Sequence, residues 1–399
     1  MKLTKEIKDK IDDVAKTFAK GNTTIVSVGL GQKVSAGKVT GDSAIVIGVT
    51  EKKPIEELSS DEMIPSEVTV GDTVIKIDII QQSPVQLFSC TTCGGWNGSN
   101  SGQFTNRQFT RPLRGGITMA RYQTVSNYSV GTLGISLRYA PIHMASSGFV
   151  NQVDAAIYSV NWTDIENVNS PSTGEYASWV PIGLESVITN QNAPFATTAE
   201  LDDIYNTNPD VWSSGRTSGA RGKGICGFLR VYGSSMNLPN VATALGPVDY
   251  NDIIAVIRPS DDDNTSQQPG CFNPGLQGDS GSAVYAEFGS VKKLIGLLFA
   301  GNCIIGTMPV ADQGNECCSG TPGLDSCSTV FYLCRIDKIA EQLGIQWWDA
   351  AAASQYTVKT NTMEFITEPG GSNFRTQICD GKTYYQAGLT NTLNNSCTP

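Results

Sequence analysis

Gly278-Asp279-Ser280-Gly281-Ser282 is the stretch that decides the fold of this chain. Its two glycines permit a tight turn, and the strand-like run Ala283-Val284-Tyr285 follows at once. A second strand-like run extends from Lys293 to Gly301 after a short gap. We therefore expect a serine-bearing turn that leads into a hairpin of two buried strands.

The composition indicates a mostly β protein that is long enough for two domains. The chain has 399 residues, of which 40% are hydrophobic and 41 are glycine, and short runs of Val, Ile and Thr recur between turn residues. A net charge of −10 argues against nucleic acid as a partner, because phosphate binding favours a basic surface. No stretch approaches the ~20 apolar residues of a membrane span, and residues 1–20 lack the apolar core of a signal peptide.

The turn has the chemistry of a nucleophilic serine. The main-chain N–H groups of Gly278 and Ser280 would form an oxyanion hole for a developing negative charge. Asp279 would be buried and would need a cationic or N–H partner. Ser280 would also need a base to accept its proton. The alternative interpretation is a glycine-rich hairpin with no catalytic history.

Residue patterns divide the chain into four predicted parts. Residues 1–80 form a helix, with Ile7, Ile11, Val14 and Phe18 on one face, and a small βα domain; residues 81–112 are a polar linker. Residues 113–349 contain closely spaced strands and a closing helix from Leu333 to Leu343. Residues 350–399 form a small β appendage.

Several motifs resemble those of a known family, the bacterial trypsin-like serine protease domains of the chymotrypsin clan that carry an N-terminal βα extension. The resemblance covers roughly residues 21–345. Besides the serine turn, it is carried by Val28-Gly29-Leu30-Gly31, Val46-Ile47-Gly48-Val49, Lys52-Lys53-Pro54, Ile64-Pro65, Arg111-Pro112-Leu113-Arg114-Gly115-Gly116, Val153-Asp154-Ala155-Ala156-Ile157, Gly215-Arg216-Thr217-Ser218-Gly219 and Gly296-Leu297-Leu298-Phe299-Ala300-Gly301. It implies a chymotrypsin-like double β-barrel flanked by the small N-terminal α/β domain and the C-terminal β appendage.

The resemblance also assigns residue roles. Asp154 takes the position of the triad aspartate, and Phe299, Ala300 and Gly301 take that of the wall of the substrate cleft. The family's Asn-Asn-His-Val segment, which carries the triad histidine, is missing from this chain. We therefore expect a first barrel that is truncated between about Gly116 and Gly131.

His143 is the single histidine of the chain. It lies 154 − 143 = 11 positions before Asp154, too few for the two strands and turn that separate base and aspartate in this fold. We expect His143 to have a structural role and not to act as the base. A lysine base is the other route to catalysis, but Lys223, Lys292 and Lys293 are not obviously placed for it.

The eleven cysteines favour disulfides, with at least one cysteine left over. Zinc is the rival interpretation for Cys90 and Cys93, but no second pair completes four ligands. The acidic run at residues 261–263 is interpreted as a solvated loop in preference to a calcium site. We expect no metal and no cofactor. Disulfides in turn favour an extracellular or virion setting.

These features lead to three hypotheses of function. The first is a catalytically degenerate serine-protease-like protein that serves as a structural or binding module, in an extracellular or virion assembly, with a protein partner or as a homo-oligomer. The second is an active serine endopeptidase that uses Ser280 with Asp154 and a non-standard base. The third is a protease that processes itself once. The first is our prediction.

Overall fold

The computed structural model describes residues 3–19, 22–35, 38–59, 63–87, 113–114, 118–124, 127–132, 155, 177–178, 181, 183–184, 186–188, 194–215, 218–225, 228–243, 246–258, 275–276, 279–304, 327–343, 362–367, 373–379 and 382–387. Within them lie three α-helices, α1 (Lys5–Phe18), α2 (Thr198–Thr207) and α3 (Ile336–Leu343), and a 3₁₀ turn at Ile55–Glu57. None of these helices is long and apolar enough to cross a membrane.

The strands of the described residues are β1 (Ile25–Ser35), β2 (Lys38–Val49), β3 (Glu67–Val70), β4 (Thr73–Gln81), β5 (Gln86–Leu87), β6 (Leu113–Arg114), β7 (Thr118–Thr124), β8 (Asn127–Thr132), β9 (Ala177–Ser178), β10 (Asp210–Gly215), β11 (Gly219–Gly222), β12 (Leu229–Thr243), β13 (Gly246–Ile257), β14 (Gly275–Leu276), β15 (Ala283–Phe288), β16 (Val291–Asn302), β17 (Cys327–Ser328), β18 (Val330–Arg335), β19 (Thr362–Thr367), β20 (Asn373–Cys379) and β21 (Lys382–Ala387). Twelve of them form one mixed sheet, which confirms the prediction of a mostly β fold.

Six strands of this sheet pair into a closed antiparallel ring, in the order β10-β12-β13-β18-β16-β15 and back to β10. We call these six strands the strand ring. Three strands consecutive around the ring, β10, β12 and β13, are followed by β15, which returns to lie beside β10. This is Greek-key order. The ring's interior is a continuous core of buried aliphatic and aromatic side chains.

The N-terminal unit extends the sheet from β12. β1 pairs antiparallel with β12 and with β2, β2 pairs parallel with β4, and β3 closes the edge. Helix α1 covers one face of these strands with Ile7, Ile11 and Val14, which are buried as the sequence predicted. The approach of β1 to β12 is close, because a Cβ on Gly29 would lie 2.2 Å from the Met236 sulfur.

Two predictions about helices need correction. The closing helix was predicted from Leu333, but residues up to Arg335 belong to β18 and the helix begins at Ile336. Every residue of β18 is buried between β13 and β16, so sheet pairing overrides the helical periodicity there. Helix α2 was not predicted, although Thr197 and Glu200 form a reciprocal capping box at its start.

Two further elements lie within residues 1–80, where a small βα domain was expected. β4 spans Thr73–Gln81, and the 3₁₀ turn follows directly after Pro54. The first residues of the predicted linker are ordered, since β5 pairs with β16. In the C-terminal segment, β19, β20 and β21 form an antiparallel three-stranded sheet.

Two cysteines have defined states in the structure. Cys303 is buried and disulfide-bonded, whereas Cys334 of β18 is buried and is not part of a disulfide. The pairing of the remaining cysteines stays a prediction.

A buried arginine joins the helices to the strand ring. Arg335 is 1% exposed and its guanidinium contacts Asp337 at 2.8 Å, Asp202 at 2.9 Å and Asp252 at 3.2 Å. Burial alone would raise the pKa of Asp337 and of Asp202, but hydrogen bonds and the charges of their cationic partners lower both below the ordinary value. Lys8 of α1 also bonds Asp202, at 2.7 Å, so the cluster connects α1, α2, α3 and β13.

Replacing Arg335 with methionine should lower the free energy of unfolding by about 3 kcal/mol at pH 7, because it leaves three partly buried carboxylates without their cation. Lowered carboxyl pKa values stabilise the wild type above the ordinary pKa of about 4, and this contribution is lost as pH falls through the lowered values. The difference between wild type and Arg335→Met should therefore shrink below about pH 4. Urea unfolding from pH 7 to pH 3 measures both effects.

Arg230→Met is the matched control, because Arg230 pairs with Asp210 but is 36% exposed. Its loss should be about 1 kcal/mol or less. An Arg335→Met variant that runs parallel to wild type across the whole pH range would contradict the assignment of this cluster.

Candidate functional site

The serine turn lies where β15 begins, against the middle of β16. The N–H of Gly281, at φ +93°, donates to the Leu298 carbonyl at 2.7 Å. The N–H of Leu298 donates to the Ser282 carbonyl at 2.9 Å. Within the turn, the Ser282 N–H donates to the Asp279 carbonyl at 2.9 Å and the Ser282 hydroxyl to the same oxygen at 2.5 Å. These bonds fix the main chain on both sides of Ser280.

Asp279 is fully buried directly beside Ser280. Its Oδ1 accepts a hydrogen bond from the main-chain N–H of Ser218 at 3.0 Å. Ser218 lies between β10 and β11 in the predicted motif Gly215 to Gly219. A Cβ on Gly215 would lie 2.3 Å from Asp279 Oδ1. Glycine at 215 therefore leaves the space that the carboxylate occupies.

Arg221 of β11 supplies positive charge to the same buried region. Its side chain is 6% exposed, and Nη1 donates to the Ala220 carbonyl at 3.1 Å. Burial lowers the pKa of Arg221 to about 10; the negative charge of Asp279 raises it and the positive charge of Arg258 lowers it further. The expected N–H partner of Asp279 is thus Ser218, and Arg221 supplies positive charge in the same buried region. The sequence predicted the need for them but could not choose Arg221 among 28 Lys and Arg residues.

Ser280 is partly exposed, unlike the buried Asp279 and Ser282. Among the described residues, none is hydrogen-bonded to its hydroxyl or accepts from its main-chain N–H. An unoccupied N–H at this position is what an oxyanion donor requires. A serine nucleophile, in contrast, needs a base that accepts the proton of its hydroxyl.

The lysines considered as bases are ion-paired away from the serine. Lys223 contacts Asp210 at 2.6 Å, Lys293 contacts Glu200 at 2.6 Å and Lys292 contacts Glu287 at 3.6 Å. Lys293 pairs across from Ala286, roughly 10 Å along β15 from the first residue of that strand, Ala283, at ~3.3 Å per residue. Each of the three ammonium groups therefore contacts a carboxylate, and none of these contacts involves Ser280.

The three residues predicted to form a cleft wall are buried in the structure. Phe299 is fully buried and its ring packs against Tyr250, with centroids 4.8 Å apart. Ala300 and Gly301 are buried as well. The predicted residues Gly278, Asp154 and His143 lie outside the described residues; Ala155, next to Asp154, packs partly buried against the core of the ring.

Comparison with protein-family models and with curated proteins finds no match for this chain. Its function is therefore inferred from the geometry of the serine turn.

Arg221 and Asp279 are buried residues of opposite charge, and the negative charge of Asp279 acts on Arg221, so we expect the two to be energetically coupled. Arg221→Met and Asp279→Asn should each lower the free energy of unfolding by about 3 kcal/mol, because each leaves a charge or its partner uncompensated. The double variant should lose less than the sum of the two. Urea unfolding of the four proteins gives the coupling free energy.

The pair Lys76 and Glu67 is the matched control, because both side chains are largely exposed. Its coupling should be about 1 kcal/mol or less. Strictly additive losses at Arg221 and Asp279 would mean that the two charges do not hold the turn together.

Proposed function

We propose that this chain is a catalytically degenerate serine-protease-like protein that acts by binding. We further propose a chymotrypsin-like double barrel in which the strand ring is the second barrel and the first barrel is truncated. The Greek-key order of the ring supports this proposal. A serine turn at the start of one of its strands supports it as well.

One observation carries the proposal of inactivity. The Ser280 hydroxyl has no hydrogen-bond partner among the described residues, and the chain has a single histidine with which to supply one. A serine without its base retains only the residual catalysis of oxyanion hole and binding, on the order of 10³–10⁴ over the reaction in water. We therefore expect such a site to bind a peptide but to cleave it only slowly.

The stabilised turn supports a role in binding. The hydrogen bond from the Ser218 N–H to Asp279 holds the turn in place, and no described residue accepts from the Ser280 N–H, so this group can donate to a carbonyl oxygen of a ligand. Because this donor recognises main chain, its ligand is a polypeptide. We propose a protein partner or a second copy of the chain, within an extracellular or virion assembly.

The alternative is an active serine endopeptidase. The partly exposed Ser280 and its unoccupied N–H favour it, since both are prerequisites of acyl transfer. It requires His143, or a residue of another subunit, to act as base with Asp154. A covalent probe separates this alternative from the proposal.

Fluorophosphonate labelling of the purified full chain should give no more adduct than the Ser280→Ala control, because the probe reacts with activated serines and, on this proposal, Ser280 lacks a base. Intact mass and peptide mapping report the adduct and its position. Rapid labelling of Ser280 in wild type that is lost in His143→Ala would overturn the proposal and establish the peptidase alternative.

A further inference from the structure

Two β-bulges lie back to back where β12 pairs with β13, one on each side of the pair formed by Met236 and Ile253. On β12 the pairing register gains one residue within 234–235, and on β13 it gains one within 251–252. Bulges of this kind re-aim side chains and are common beside functional sites. We call the four residues of the two bulges the double bulge: Ser234, Ser235, Asn251 and Asp252.

The double bulge is held in a conformation that its residues rarely adopt. Ser235 has φ +50° and Asp252 has φ +55°, both in the left-handed region, which residues with a Cβ enter only at a cost in free energy. The Ser235 hydroxyl donates to Asp252 Oδ1 at 3.1 Å. The buried Ser234 hydroxyl and Asn251 Oδ1 have no hydrogen-bond partner within the described part of the chain. The double bulge therefore needs contacts from other elements to keep this conformation.

Helix α1 supplies such contacts. Lys8 Nζ lies 3.8 Å from Asp252 Oδ1, and Arg335 contacts the same carboxylate at 3.2 Å. Asp12 lies four residues after Lys8 and so on the same face of the helix. Its Oδ1 accepts a hydrogen bond at 3.1 Å from the side chain of Asn237, the β12 residue that faces the bulge on β13. One face of α1 thus supports the double bulge.

A continuous row of paired residues connects the double bulge to the serine turn. Ile254, which faces the bulge on β12, pairs with Leu333 of β18, and Leu333 pairs with Leu298 of β16. The Leu298 main chain bonds Gly281 and Ser282 of the turn. At ~4.8 Å between neighbouring strands, Ile254 lies roughly 10 Å from Leu298. The side chains of the row are buried, and in a close-packed interior the next strand must accommodate a shift of its neighbour.

We propose that α1 is a regulatory clamp on the serine turn and that it acts through the double bulge. When α1 is docked, its contacts hold the double bulge in the left-handed conformation, and the row through Leu298 holds the turn. When α1 is released, the double bulge relaxes and the turn loosens with it. The double bulge is thus a two-state element whose equilibrium α1 biases. The regulatory role rests on the proposed binding function of the serine turn, whereas the coupling of α1 to the turn does not.

Loosening α1 should speed hydrogen exchange at the serine turn. In the full chain, Lys8→Met together with Asp12→Ala removes the polar contacts of α1 to the double bulge and to Asn237 but keeps the apolar side chains that anchor the helix. The Gly281 and Leu298 amides, which bond the turn to β16, should then exchange about tenfold faster, because the left-handed conformation loses its support. Amide exchange followed by NMR or mass spectrometry measures the effect.

Lys5→Met together with Asp9→Ala is the matched control, because this pair lies on the same helix and is largely exposed. It should leave exchange of the Gly281 and Leu298 amides within about twofold of wild type. Unchanged exchange of these amides in the variant with loosened α1 would overturn the proposal. Equal acceleration throughout β10 and β15 would overturn it as well, because that pattern reports a global loss of stability.

A glycine in the double bulge tests the role of strain in the same background. Ser235→Gly, added to the variant with loosened α1, should restore slow exchange at Gly281 and Leu298, because glycine adopts a positive φ without cost. Ser235→Ala loses the same hydroxyl but keeps the Cβ, so it should not restore it. Restoration by both substitutions, or by neither, would refute the coupling through strain. Fluorophosphonate labelling reports only on the base at Ser280, so failure of the clamp and failure of the proposed function give separate results.

Discussion

The buried carboxylate of Asp279 is the constraint on which the serine turn depends. A carboxylate taken out of water is costly unless hydrogen bonds and opposite charge compensate it. Here the Ser218 N–H and the nearby Arg221 provide compensation, and Gly215 provides space. The turn and the β10–β11 hairpin therefore stabilise each other, whether or not Ser280 has a base.

A set of hydrogen bonds among buried polar side chains fixes the path of the chain between the N-terminal unit and the serine turn. The Ser27 hydroxyl of β1 donates to Gln82 at 2.6 Å, and the Tyr332 hydroxyl of β18 donates to Asn302 at 3.0 Å. Asn302 in turn donates to the Ser83 carbonyl. Because these residues are buried, the path of the chain after β4 is fixed along β16. The N-terminal unit thus leads into residues 82–87, which lie along β16 beside the serine turn.

Local patterns predicted the parts of this structure that local physics determines. The apolar face of α1 and the strands around the serine turn follow from periodicity and glycine placement. The start of α3 was wrong because β18 is buried on both sides, a fact of pairing between distant strands. The position of Arg221 near Asp279 and the pairing of β5 with β16 could not be predicted, since each depends on residues more than fifty positions away. Helix α2 was detectable from its capping box and was missed.

The single histidine permits one direct test of the central claim, that no imidazole serves Ser280. Because His143 is the only histidine, its ring protons can be titrated by NMR without assignment ambiguity, from an ordinary pKa of about 6.5. The account predicts the same His143 pKa in wild type and in Ser280→Ala. A His143 pKa that shifts when the serine hydroxyl is removed would place the imidazole on that oxygen and contradict the account.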